Sequence, residues 1–248
     1  MALGMLAQAL ARRMRIPGII ILLAAGLLFG PDGLNWIQPD SLGSAMHIIV
    51  GFAVAVILFE GGMNLRISRI KREQLAIQGL ITISAFITLV GGTLSTLFFL
   101  DWNFRTSILF GTLIIVTGPT VISPLLKRIR IHHGVSTILE AEGILLDAIG
   151  AIVAVVALEI AISPSGLSLL KGFYHIITRL GIGTLFGVTG GALLTLLFRI
   201  RRLVPEGLEN VFILSWVFAL FQLSNTLSPE SGIAAVTIAG MTIGNSKT

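Results

Sequence analysis

Apolar runs of about 20 residues recur along the whole 248-residue chain, parted by short polar breaks. A helix needs about 20 such residues to cross hydrocarbon, and only helices or closed barrels satisfy their backbone groups there. The strict alternation that a membrane barrel requires is missing, so the expected fold is all-α, a polytopic transmembrane bundle of about eight or nine segments. The runs predict helices at 16–30, 44–64, 74–99, 106–126, 135–162, 172–198, 208–223 and 231–244. The first and the last two are short for a full crossing, which a crowded, glycine-bearing bundle tolerates. Residues 1–11 read as the tail of an earlier helix whose start is absent. They do not read as a signal peptide, because Arg12, Arg13 and Arg15 follow the apolar stretch instead of preceding it.

Composition closes the soluble alternative. Hydrophobic residues make up 54% of the chain before its 28 glycines are counted, and only 12% are charged, about half the usual share. A single core of this size cannot hide so much apolar surface from water. The absence of cysteine removes disulfide frameworks, thiolate zinc sites and cysteine nucleophiles together.

The net charge of +5 would suit nucleic acid, but the placement of the basic residues points elsewhere. Of 17, the 14 at Arg12–Arg15, Arg66–Arg72, Lys127–Arg130, Arg199–Arg202 and Lys247 fall on alternate breaks. Only Arg105, Lys171 and Arg179 fall toward the other side. This is the positive-inside bias of a multi-pass protein, with the basic breaks cytoplasmic. No nucleic-acid partner is expected, since each cluster is a short loop between spans.

Acidic residues inside membrane helices are costly and mark functional candidates. Of the 12 in the chain, Glu60, Glu140, Glu142, Asp147 and Glu159 lie within apolar runs. Asp147 follows Gly134 by 13 residues, roughly 20 Å along a helix axis, which places it near the bilayer middle. It has no basic partner on its own helix. A carboxylate at that depth can hold a proton or a small cation in turn, but not both, and that competition is the chemistry of proton-coupled cation exchange. Glu142 is open to reading as a ligand or as half of an ion pair. Glu140 and Glu159 suit snorkelling or interface roles.

The second chemical feature is Ile115-Val-Thr-Gly-Pro-Thr-Val121 in the preceding span. Pro119 removes a backbone donor and Gly118 gives no helical support, so the helix should break here. Non-helical backbone at this depth persists only inside protein or against a water-filled cavity, and broken helices form ion sites in secondary transporters.

These residues resemble the bacterial NhaP-like sodium–proton antiporters of the monovalent cation:proton antiporter superfamily. Arg15-Ile-Pro-Gly with Leu27-Leu-Phe-Gly-Pro31 looks like the family's second helix, and Leu58-Phe-Glu-Gly-Gly-Met63 like the end of its third. Thr117-Gly-Pro-Thr120 corresponds to its broken helix, usually written Thr-Asp-Pro. Glu140-Ala-Glu-Gly-Ile-Leu-Leu-Asp147 corresponds to the Glu-Gly-Glu-Ser-Leu-x-Asn-Asp stretch, and Ser231 through Asn245 to the ninth helix. Gly118, Gly143 and Leu146 stand where the family usually has Asp, Ser and Asn.

The resemblance implies an antiporter that exchanges Na⁺ or K⁺ for H⁺, electroneutrally, in a bacterial cytoplasmic membrane. Asp147 would be the cation- and proton-binding carboxylate, the one metal ligand expected for Na⁺ or K⁺. Thr117 and Glu60 would line the ion site. Glu142 would support it by pairing with an arginine on a later helix, and Gly118, Pro119 and Thr120 would form the break. The family fold contains inverted repeats, of which this chain would hold an incomplete set, so a fragment or split protein is expected. Residues 74–162 would belong to the mobile transport bundle. Residues 1–73 and 163–248 would form scaffold and homodimer contacts. No cofactor is implied beyond the transported ions, and lipid is the expected surroundings.

Other classes fit less well. An intramembrane aspartyl protease needs two deep aspartates, and no Gly-x-Ser-x-Gly elbow is present, so no enzyme is expected. The alternatives to transport are a passive cation channel, although no repeated filter is visible, and a truncated membrane scaffold. His132 and His133 read as solvated loop residues. His47 and His175 lack companions for a metal site. Trp36, Trp102 and Tyr174 fit an outer aromatic belt.

Overall fold

The computed structural model describes residues 2–14, 16, 18–117, 126, 132–162, 169–200 and 207–246. Among them every regular element is helical. In chain order these are α1 (Ala2–Met14), α2 (Gly18–Phe29), α3 (Ser44–Asn64), the short α4 (Ile67–Arg72) and α5 (Gln74–Phe99). They continue with α6 (Phe104–Leu113), α7 (His133–Ile162), α8 (Leu169–Arg199), α9 (Glu209–Leu227) and α10 (Ser231–Asn245). Five of them, α3, α5, α7, α8 and α9, are long and apolar enough to cross a membrane. Many large apolar side chains point outward, among them Phe99 at 84% and Leu75 at 80% exposure. An exterior of that kind is matched by lipid rather than water.

Observed boundaries follow the apolar runs within a few residues, except at the predicted span 106–126. There α6 stops at Leu113, and residues 114–117 have left the helix. Ile114, Ile115, Val116 and Thr117 are four β-branched residues in succession, which lowers helix propensity slightly, and Pro119 follows. At its other end α6 starts on Asn103, whose side chain accepts from the Thr106 amide at 3.0 Å. The helix predicted at 74–99 is continuous but contains a π-helical turn at Leu80–Ser84.

The chain forms two compact units, one of Met1–Ala53 with Thr120–Arg130 and one of Val54–Pro119 with Ile131–Thr248. In the first, α1 and α2 pack on each other, with Gly4 against Leu22 and Gly18 against Gln8. In the second, the core gathers Leu58 and Phe59 of α3, Ala148 of α7, Leu194 of α8, Val217 and Leu220 of α9, and Val236 and Ala239 of α10.

Helix α10 is the hub of this second unit. Its residues Ser231–Thr237, Ala239 and Gly240 are buried, and they are mostly small, so neighbouring backbones approach closely. A Cβ on Gly183 or Gly187 of α8 would lie 2.6 Å from the carbonyl oxygen of Ser231 or Ala235. One on Gly191 would lie 2.9 Å from that of Ala239. On the α3 side, Gly62 faces the Thr237 carbonyl, and Gly240 and Gly244 face those of Phe59 and Met63. Not every glycine in these runs is a contact, since Gly91 and Gly181 face open space. The turn from α9 into α10 is closed by Ser231, whose hydroxyl donates to the Ser224 and Ser228 carbonyls at 2.8 and 2.7 Å.

Candidate ion site

Helix α7 is 30 residues long and carries Asp147 at its centre. Ala141, Gly143, Ile144, Leu146, Ala148, Gly150 and Ile152 are all buried around it. Apolar and small residues on several faces make α7 an internal helix, while Asp147 itself is only partly buried. Among the described residues no donor or cation is paired with its carboxylate.

The unwound end of α6 lies along this part of α7. Thr117 Oγ1 donates to Glu142 Oε1 at 2.9 Å. Val116 covers Gly150, where a Cβ would lie 2.9 Å from Val116 Cγ2. Two consecutive residues thus touch α7 at positions eight apart, about 12 Å along the axis, and Asp147 falls between those two contacts. The structure brings Thr117 and Glu142 together and sets the break beside the turn of α7 that bears Asp147.

The other expected site residues stand as follows. Glu60 is exposed on α3, and its neighbour Gly61 packs on the Ile144 side chain of α7. No described contact joins Glu60 to Asp147. Gly118, Pro119 and Thr120 lie outside the described residues. Glu142 was expected to meet an arginine of a later helix, and its partner here is the Thr117 hydroxyl. Glu140 accepts from Ser136 Oγ at 3.2 Å. No group of three or more His, Cys, Asp or Glu suited to a metal occurs among the described residues. The polar side chains the structure joins in this region are the Thr117 hydroxyl and the Glu142 carboxylate.

Two features escaped the sequence reading. Arg179, counted there as an outer-side topology charge, is 4% exposed within α8, and its Nη2 donates to Glu159 Oε1 of α7 at 2.6 Å. A lone arginine inside an apolar run was the signal available. Asn245 ties α10 to the α3–α4 connection. Its Nδ2 donates to the Leu65 carbonyl at 2.7 Å, and its Oδ1 accepts from the Ile67 amide at 2.8 Å. Beside that clamp runs a groove of about 1070 Å³ lined by Met63, Arg66, Lys71, Ile243 and Ser246 among others. Asp147 does not line it, and its basic rim is unsuited to gathering cations.

Known proteins are similar to this chain in sequence and in fold. The chain is 31% identical over 251 residues to the K(+)/H(+) antiporter NhaP2 of Shewanella oneidensis, covering 100% of this chain and 43% of that protein. It is 32% identical over 154 residues to the Na(+)/H(+) antiporter 1 of Methanocaldococcus jannaschii, covering 61% of this chain and 36% of that protein. The solved structure of the sodium proton antiporter MjNhaP1 from the same archaeon superposes with a TM-score of 0.79 at 27% identity. That superposition covers 98% of this chain and 59% of the other. The chain therefore spans less than half the length of the curated NhaP2 relative. Over residues 1–248 it matches the description of a transmembrane sodium/hydrogen exchanger, and with its helix order and its unwound segment beside a central aspartate it belongs to that family.

Proposed function

We propose that the protein exchanges Na⁺ or K⁺ for H⁺ across a bacterial cytoplasmic membrane, with Asp147 binding proton and cation in turn. One observation carries this reading: a carboxylate with no partner among the described residues, at the midpoint of a 30-residue helix whose middle is largely buried and against which lies backbone that has left its helix. The names of the relatives, K(+)/H(+) and Na(+)/H(+) antiporters, support the substrate class.

In this scheme Asp147 supplies the charge, and Thr117 and Glu60 supply oxygens to the cation. Glu142 holds Thr117 in place, and Gly118, Pro119 and Thr120 keep the segment unwound. A single site that carries either one proton or one monovalent cation makes the exchange electroneutral. Residues 74–162 move as part of the transport bundle against scaffold helices from 1–73 and 163–248, and two copies associate through the scaffold. Rigid movement of the bundle then exposes the site to each side alternately.

The test uses the full-length protein in everted vesicles with a pH-sensitive dye. Addition of Na⁺ or K⁺ should evoke proton movement that Asp147→Asn abolishes, because the amide cannot release a proton or offer a charge. An undiminished signal in that variant, or none in the parent protein, overturns the assignment. A signal that depends on membrane potential would point to a channel instead.

A further inference from the structure

We propose that Glu159 and Arg179 form an outer latch between α7 and α8, closed in this conformation and required to part before the Asp147 site opens to the outer side. The proposal rests on the alternating-access reading above, which places the two residues on opposite sides of the moving boundary.

Glu159 follows Asp147 by 12 residues on α7, about 18 Å further toward the outer end. It is too far away to touch a bound ion. Its contact with Arg179 is the only ion pair among the described residues. The arginine side chain is 5% exposed, the glutamate 40%. Arg179 Nη1 is buried without a hydrogen-bond partner.

Those features suit a latch better than a permanent strut. A buried charge pair adds stability only when its remaining hydrogen-bonding groups are met, and otherwise apolar side chains serve as well. Here one guanidinium arm is left unmet, so the pair is a poor stabiliser of the fold. It is nevertheless strongly selective between two arrangements, because separating the helices without water would strand the arginine alone. The half-exposed glutamate gives water a route to both charges as they part.

The mechanical setting agrees. One face of α8 is held to α10 by the backbone-close contacts at Gly183, Gly187 and Gly191. Toward α7, Gly172 of α8 seats Val156 and Ile160, where a Cβ would lie 3.3 Å from Val156 Cγ1 and 2.9 Å from Ile160 Cδ1. This second contact is apolar and can slide or separate without stranding a charge. The ion pair is therefore the element that distinguishes the closed from the open arrangement.

Cysteine accessibility tests this directly. These 248 residues contain no cysteine, so Val156→Cys, at a position 3% exposed under Gly172, can be added to a full-length protein freed of any other thiol. A membrane-impermeant maleimide applied from outside should label it slowly. Glu159→Gln, nearly isosteric, should speed labelling by about fivefold or more as the open population rises. The exchange Glu159→Arg with Arg179→Glu should return it to the slow rate. Unchanged labelling in Glu159→Gln overturns the latch, as does a charge exchange that labels as fast as Glu159→Gln. Labelling requires no transport, so a failure of the Asp147→Asn test and a failure of the latch are separately visible.

Discussion

The Thr117 hydroxyl and the Glu142 carboxylate, 25 residues apart in sequence, are joined by a 2.9 Å hydrogen bond. This bond fastens the unwound end of α6 to α7 five residues before Asp147, about 7.5 Å along the axis. It makes Thr117 a donor to protein as well as a candidate oxygen for the cation, since a hydroxyl that donates one bond keeps its lone pairs.

Removing that donor should matter more than removing a methyl group. Thr117→Val keeps the shape but leaves a Glu142 oxygen without its partner, a cost of about 1–3 kcal/mol. The expected result is a several-fold higher cation KM and a lower unfolding temperature. Thr117→Ser should stay close to the parent in both. Equal behaviour of Val and Ser would show the bond to be idle.

The proposal that proton and cation share Asp147 sets the sign of the pH response: as pH falls, protons would compete with the cation there, so the apparent cation KM should rise. By linkage the rise approaches about tenfold per pH unit once the protonated form dominates. Dye-quench titrations of Na⁺ and K⁺ at several pH values check this. A KM constant over two pH units would exclude a shared site.

Close backbone packing predicts a sharp contrast between two glycines of α8. Gly187→Leu places its Cβ 2.6 Å from the Ala235 carbonyl oxygen, and overpacking of this kind costs about 1–3 kcal/mol. Gly181→Ala enters open space and should leave stability unchanged or slightly raised. Thermal unfolding of the purified proteins in detergent, followed by tryptophan fluorescence, should separate the two clearly.

Asn245 offers a local test. Asn245→Ala frees the Leu65 carbonyl and the Ile67 amide from their 2.7 and 2.8 Å bonds, at about 1 kcal/mol for each lost bond. Hydrogen exchange should accelerate at Ile67 and at the start of α4, while α7 keeps its protection. Equal acceleration in both helices would mean global destabilisation and not loss of a clamp.

The all-helical class and the approximate limits of most helices were legible in the residues alone, because hydrocarbon imposes one-dimensional rules. Each crossing must be long, apolar and helical, and basic loops stay on one side. For that reason α3 and α5 occur within the limits their apolar runs predict. Asp147 stood out as a carboxylate in the middle of a long apolar run. The break was legible in kind but not in place. Pro119 marks it, yet α6 ends at Leu113, six residues earlier.

Side-chain partnership was decided by the tertiary structure. Glu142 could have met an arginine or a hydroxyl, and only the lie of residues 114–117 along α7 selects Thr117. Arg179 and Glu159 sit on separate helices, and nothing in either apolar run specifies the rotation that makes them face. Membrane helices are specified individually by hydropathy, but their mutual rotation is set by small-residue packing, as at Gly183 and Gly187 against α10. The sequence by itself therefore determined where the helices run and which charged residues interrupt them, since hydropathy acts along one axis. Which of them touch was decided around that axis, by the fit of one helix surface into another.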